Sequence, residues 1–113
     1  MQQRELGQAH TPVSAIGYGA MSFSDFYGPT DDAKSFAILD RCMDLGITHL
    51  DTSNVYGLGL SEQRIGAYLK QRGQQARDFF TIATKAGIAS KPDGSRYFDN
   101  SPEHLRKELD GSL

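Results

Sequence analysis

"GITHLDTSNVYGLGLSEQRIG", residues 46–66, decides the fold because it reads as three elements in close succession. Gly46 stops whatever helix precedes it, and "ITHLD" follows as a short strand. The loop "TSNVYGLGL" then leads to Ser61, which reads as the cap of a helix whose Ile65, Tyr68 and Leu69 share a face, with Gly73 just past its end. A strand running through a loop into a helix is the unit from which parallel sheets are built.

The same grammar extends in both directions. Before Gly46, Phe36, Leu39 and Met43 fall at helical spacing. Thr30 reads as the N-cap, and Asp31 and Asp32 lie in the first turn, where negative charge suits the helix dipole, so a helix is expected over about 31–45. Further back, "QQREL" and "PVSAI" flank "GQAHT" as a hairpin leading into a first buried strand at Ser14–Gly17. After Gly73, "DFFTIATK" is expected as the third strand, its near-continuous apolar run suiting burial on both faces of a parallel sheet. "AGIASKPDGSRYFDN" reads as a long polar loop. Ser101 as N-cap, Pro102 at the first helical position and Glu103 behind it open a last helix, along which Leu105, Leu109 and Leu113 form one apolar stripe. Strand and helix alternate three times after the hairpin, the pattern of an α/β protein with parallel strands.

Composition narrows the partners. A chain of 113 residues is at most one domain, and 38% hydrophobic with 23% charged residues reads as globular rather than disordered. A net charge of -2 gives no basic footprint for nucleic acid. Apolar runs such as "FFTIA" are too short to span a membrane, and "MQQRELGQ" lacks a signal-peptide core. Cys42 is alone, so no internal disulfide forms; it reads as a small apolar filler in a cytoplasmic protein.

Chemistry in a parallel α/β sheet or barrel gathers where strands end and the following loops begin. Asp51 ends the second strand, Lys85 ends the third, and Tyr56 hangs on the loop after the second, so all three are expected on one face. An isolated tyrosine, with a pKa of about 10, is a poor proton donor at neutral pH, but a nearby ammonium favours the phenolate. An aspartate beside the lysine would hold its amine, and such a set acting as general acid supplies roughly 10² to 10⁴ in rate. The plainer alternative is that Asp51 caps a turn and Tyr56 packs over a core edge. His10, His49 and His104 lack metal-ligand spacing. "GYGAMS", residues 17–22, starts like a dinucleotide fingerprint but has Ser22 at the third glycine position and no helix opening there. Its glycines still allow a ligand close approach to the backbone. Phe23, Phe26 and Tyr27 either line a pocket for an apolar substrate or cover a rim.

With these residues in view, the chain resembles the N-terminal part of an aldo-keto reductase. "GITHLDTSNVYGLGLSEQRIG" is similar to that family's signature, "ELG" and "PVSAIGYGAM" to its opening hairpin and first strand, "IATKAG" to its third strand with the lysine, and "SPEHLRKELDGSL" to the start of its third helix. The resemblance implies the N-terminal part, a hairpin plus about three βα units, of a (β/α)8 TIM barrel that transfers hydride from NADPH to an aldehyde or ketone. Tyr56 would be the general acid, Lys85 the residue that tunes it, and Asp51 the lysine's partner near the nicotinamide ribose. Gly19, Ala20 and Met21 would approach the nicotinamide end. The family's fourth catalytic residue, a histidine, and its phosphate-binding loops are expected beyond Leu113. Residues 1–113 are therefore expected to be a fragment of one barrel domain, inactive alone. The alternative is an inactive remnant or a non-catalytic binding subunit resembling the potassium-channel β subunits. Eight residues separate Ser53 from Glu62, so within that family the chain resembles the bacterial and plant reductases and the potassium-channel β subunits more than the aldose reductases.

Overall fold

The computed structural model describes residues 1–113. Strands β1 (Gln3–Leu6) and β2 (Thr11–Ser14) pair antiparallel, with Gln3 opposite Ser14 and Leu6 opposite Thr11. A second sheet has the order β3–β4–β5, formed by Tyr18–Gly19, His49–Asp51 and Thr81–Ala83, all parallel. Between these strands lie a 3₁₀ turn (Ala20–Ser24), α1 (Asp32–Leu45), α2 (Leu60–Arg72) and the short α3 (Gln74–Phe79). A second hairpin, β6 (Ile88–Ser90) with β7 (Arg96–Phe98), precedes α4 (Pro102–Ser112).

The helices cover one face of the parallel sheet. Leu50 of β4 is fully buried among Leu39 and Cys42 of α1, Ile65, Tyr68 and Leu69 of α2, Ala76 of α3, and Ala20, Phe23 and Phe80. Side chains alternate along a strand, so His49 and Asp51 lie on the other face. Cys42 is the apolar filler its sequence context suggested, and burial pushes its thiol pKa up. The first hairpin is stitched to β4 from below: Ser14 N–H donates to Thr48 Oγ1 at 2.8 Å, and Ser14 Oγ accepts from Thr48 N–H at 2.9 Å. No helix is long and apolar enough to cross a membrane.

Several boundaries differ from the sequence reading, each for a physical reason. The strand expected at Ser14–Gly17 is displaced to Tyr18–Gly19, because Ser14 closes the hairpin and Gly17 passes so close to β4 that an added Cβ would stand 2.9 Å from the His49 ring. Asp31, not Thr30, caps α1, accepting from Lys34 N–H at 2.7 Å. Gly59 stands at the N-cap of α2, leaving Ser61 inside the helix and fully buried. "DFFTIATK" is not one strand: Asp78 and Phe79 end α3, and Ile82 keeps 39% exposure, so β5 is covered on less than two faces. The expected polar loop holds the β6–β7 hairpin, turned by Pro92-Asp93-Gly94, with Asp93 accepting from Ser95 N–H. The end of α1 at Gly46 (φ +73°) and the Ser101–Pro102 start of α4 stand as expected.

Candidate active site

The parallel register sets the site. Gly19 is opposite Asp51, and Asp51 opposite Ala83, so the three strands end level. Pairing continues past the strands: Thr52 N–H donates to Ala83 C=O at 2.8 Å and Asn54 N–H to Lys85 C=O at 3.2 Å. The loop after β4 therefore runs alongside the chain leaving β5, which brings Lys85 against Asp51. Lys85 Nζ donates to Asp51 Oδ2 and to Thr52 C=O, both at 2.8 Å. The same nitrogen lies 5.2 Å from the centroid of the Tyr56 ring. Asp51, Tyr56 and Lys85 are thus together on one face. Partial burial pulls the Lys85 pKa down, but the hydrogen bond and charge of Asp51, joined by Tyr56, outweigh it and raise the value, so the amine stays an ammonium at neutral pH.

The loop bearing Tyr56 is held at both ends. Thr52 is buried, and its hydroxyl shares a 2.8 Å hydrogen bond with Ser61 Oγ, which also donates to Ala20 C=O at 2.8 Å. This bridge ties the ends of β3 and β4 to α2. After Tyr56, Gly57 adopts φ +63° and packs so tightly that a Cβ would sit 2.9 Å from Ser24 Cβ. Tyr56 is partly buried there, and its C=O accepts from Ser61 N–H at 3.2 Å. Midway, Asn54 Nδ2 donates to Glu108 Oε2 of α4 at 2.6 Å.

The segment expected to meet a cofactor is mixed. Gly19 is exposed at the sheet end, with nothing within 4 Å of the place a Cβ would occupy, so a flat ligand group can approach its backbone. Met21 is partly exposed. Ala20 is fully buried and its carbonyl is taken by Ser61, leaving no side-chain surface for a ligand. The aromatic trio divides: Phe23 is core, stacked on Tyr18 at 5.4 Å, whereas Phe26 and Tyr27 are 68% and 73% exposed.

Sequence reasoning missed three supports of this site. Arg64 is buried on α2 and donates to Phe23 C=O at 2.6 Å, to Asp32 at 3.1 Å and to Thr30 C=O at 3.3 Å, pinning the loop after β3. An arginine directly after Glu62 and Gln63 in a polar stretch carries no such signal. Ser61 reads in the sequence as a helix cap rather than as this bridge, and the Asn54–Glu108 pair carries no signal because its members are 54 residues apart.

A family model described as the aldo/keto reductase family matches residues 15–113. The chain belongs to the aldo/keto reductase family. It is 38% identical over 111 residues to "Aldo-keto reductase yakc [NADP(+)]" of Schizosaccharomyces pombe, covering 97% of this chain and 32% of that protein. It is 38% identical over 106 residues to the D-threo-aldose 1-dehydrogenase of Pseudomonas sp, covering 87% and 31%. Among solved structures, the holo form of an aldo-keto reductase from Bacillus halodurans superposes with a TM-score of 0.82 at 35% identity, covering all of this chain and 35% of that one. This chain thus spans about a third of the length of the relatives it matches. Its hairpin and three βα units are part of the aldo-keto reductase TIM barrel, here open rather than closed, and its relatives are oxidoreductases.

Proposed function

We propose that residues 1–113 are the N-terminal portion of one barrel domain of an NADPH-dependent reductase of aldehydes and ketones, in which Tyr56 is the general acid. The observation that carries this reading is the placement of Lys85 Nζ, 2.8 Å from Asp51 Oδ2 and 5.2 Å from the Tyr56 ring centroid, at the level ends of parallel strands. Asp51 and Thr52 C=O fix the ammonium, so its charge is spent on orienting rather than wandering in solvent. When the phenol gives its proton to the carbonyl oxygen, the fixed ammonium stabilises the negative charge left on Tyr56 without having to reorganise.

The residues present fit the nicotinamide end of a dinucleotide. Gly19 offers open backbone level with Asp51, and Met21 flanks it. The cofactor, when bound, supplies the hydride. The name of the Schizosaccharomyces relative supports the choice of NADP over NAD. The substrate is a small carbonyl compound, and nothing in the charge or the site favours nucleic acid or membrane as a partner.

The test follows NADPH absorbance with an aromatic aldehyde, using a chain extended to full barrel length. Tyr56→Phe and Lys85→Met are each expected to lower kcat by roughly 10² to 10⁴. A Tyr56→Phe variant as fast as its parent would remove the assigned acid. The 113-residue chain alone is expected to show no turnover; activity comparable to the extended chain would overturn the fragment reading.

A further inference from the structure

Between its two firm anchors the Tyr56 loop has little of its own to hold it. Thr52 is tied to Ser61 at one end and Gly57 is wedged on Ser24 at the other. Inside that span the side-chain contacts are long, Ser53 Oγ to Asn54 Oδ1 at 3.4 Å and Val55 N–H to Ser53 Oγ at 3.5 Å, beside turn bonds from Tyr56 N–H to Ser53 C=O at 3.2 Å and from Leu58 N–H to Val55 C=O at 3.3 Å. The short bond is the one from outside, Asn54 Nδ2 to Glu108 Oε2 at 2.6 Å. Glu108 makes no ion pair, so this amide is the sole hydrogen-bond partner of a partly buried carboxylate. A hydrogen bond to an ionised acceptor is about twice as strong as a neutral one. The backbone of the same Asn54 donates to Lys85 C=O. One residue therefore touches α4 through its side chain and the lysine's own peptide through its main chain, two positions ahead of the tyrosine.

We infer that Glu108 is a positioning residue, which sets the distance between Lys85 and Tyr56 by gripping Asn54 from helix α4. This rests on the assignment of Tyr56 as the acid. The carboxylate does not touch the reacting atoms. It removes the freedom of the loop to slide along the chain leaving β5, so that tyrosine and ammonium meet in one arrangement.

In the extended chain, Glu108→Ala and Asn54→Ala are each expected to lower kcat by about 10-fold to 100-fold, the loss that follows from a misplacement near 1 Å. KM for NADPH stays within about twofold, because the Gly19 surface is untouched, whereas a general loss of structure would raise it. The double variant is expected to be no slower than either single variant, the mark of two residues acting through one contact. Glu108→Gln keeps an acceptor oxygen and is expected to recover most of the rate. Near-parental kcat in both alanine variants, additive losses in the double variant, or glutamine no better than alanine would each overturn the inference. Tyr56→Phe separates the two readings: if it is active, the acid assignment falls and this inference with it; if it is inactive while Glu108→Ala is fast, only this inference falls.

Discussion

Ser61 shows what a single hydroxyl does here. It is fully buried, shares a bond with Thr52 and donates to Ala20 C=O, so it couples three chain segments beneath the loop of Tyr56. Ser61→Ala leaves two buried polar groups without that partner, at a cost of about 1–3 kcal/mol. Urea unfolding of the extended chain is expected to show that loss, with kcat falling as well because Thr52 is freed next to Lys85. At this scale the sequence was a partial guide. Asp51, Tyr56 and Lys85 were legible because strand ends in a parallel sheet place their residues on one face, whatever the details of packing. Ser61 was misread as a cap, since a serine before an apolar helical run has the same spelling in either role. Asn54 and Glu108 have no local pattern at all; only the approach of α4 to the loop unites them.

Between elements, the joint of α1 and α2 is polar at its edge. Tyr68 O–H donates to Asp40 Oδ1 at 2.8 Å, and Arg72 Nε donates to the same oxygen at 3.0 Å while its Nη2 meets Oδ2. Burial, then the hydrogen bond and charge of Asp40, push the Tyr68 pKa up to about 12, with Arg72 opposing. A tyrosine in the unfolded chain loses its proton from about pH 10. Between pH 10 and 12 the unfolded state is thus deprotonated while the folded state is not, and stability present below pH 10 drains away, by at most about 3 kcal/mol. Unfolding free energies measured at pH 9 and pH 12 are expected to differ more for the parent than for Tyr68→Phe. Helix ends were legible where Gly46, Gly73 and Ser101–Pro102 punctuate the chain. The β6–β7 hairpin was missed although "KPDGS" spells a turn, because its strands are only three residues each, and α3 was missed because its last residues, Asp78 and Phe79, read equally well as the start of a strand.

As a whole, the molecule is under-covered. Its accessible surface is 7427 Å², against about 6,100 Å² expected for a folded monomer of its 12.4 kDa. The fold leaves open surface of two kinds: β3 and β5 are free sheet edges, and a groove of about 490 Å³ between α2, α4 and β5 is lined by Ile65, Leu69, Ile82, Leu109 and Leu113. Unpaired edges and contiguous apolar surface invite association. Sedimentation of the 113-residue chain is expected to show oligomers and dye binding to apolar surface, both absent from the extended chain; a monodisperse monomer would contradict the barrel-fragment reading. The α/β class was legible from alternation alone, but the length of β3, two residues, was not, because it depends on how far the first hairpin reaches up from below. One consequence follows from the strand order. β4 is the only strand of the parallel sheet with a neighbour on each side, so fraying that starts at either margin consumes β3 or β5 first. Asp51 sits at the end of that sheltered strand. The anchor of the ammonium is thereby held in the central strand of the sheet, together with the loop of Tyr56, while Lys85 itself leaves the edge strand β5.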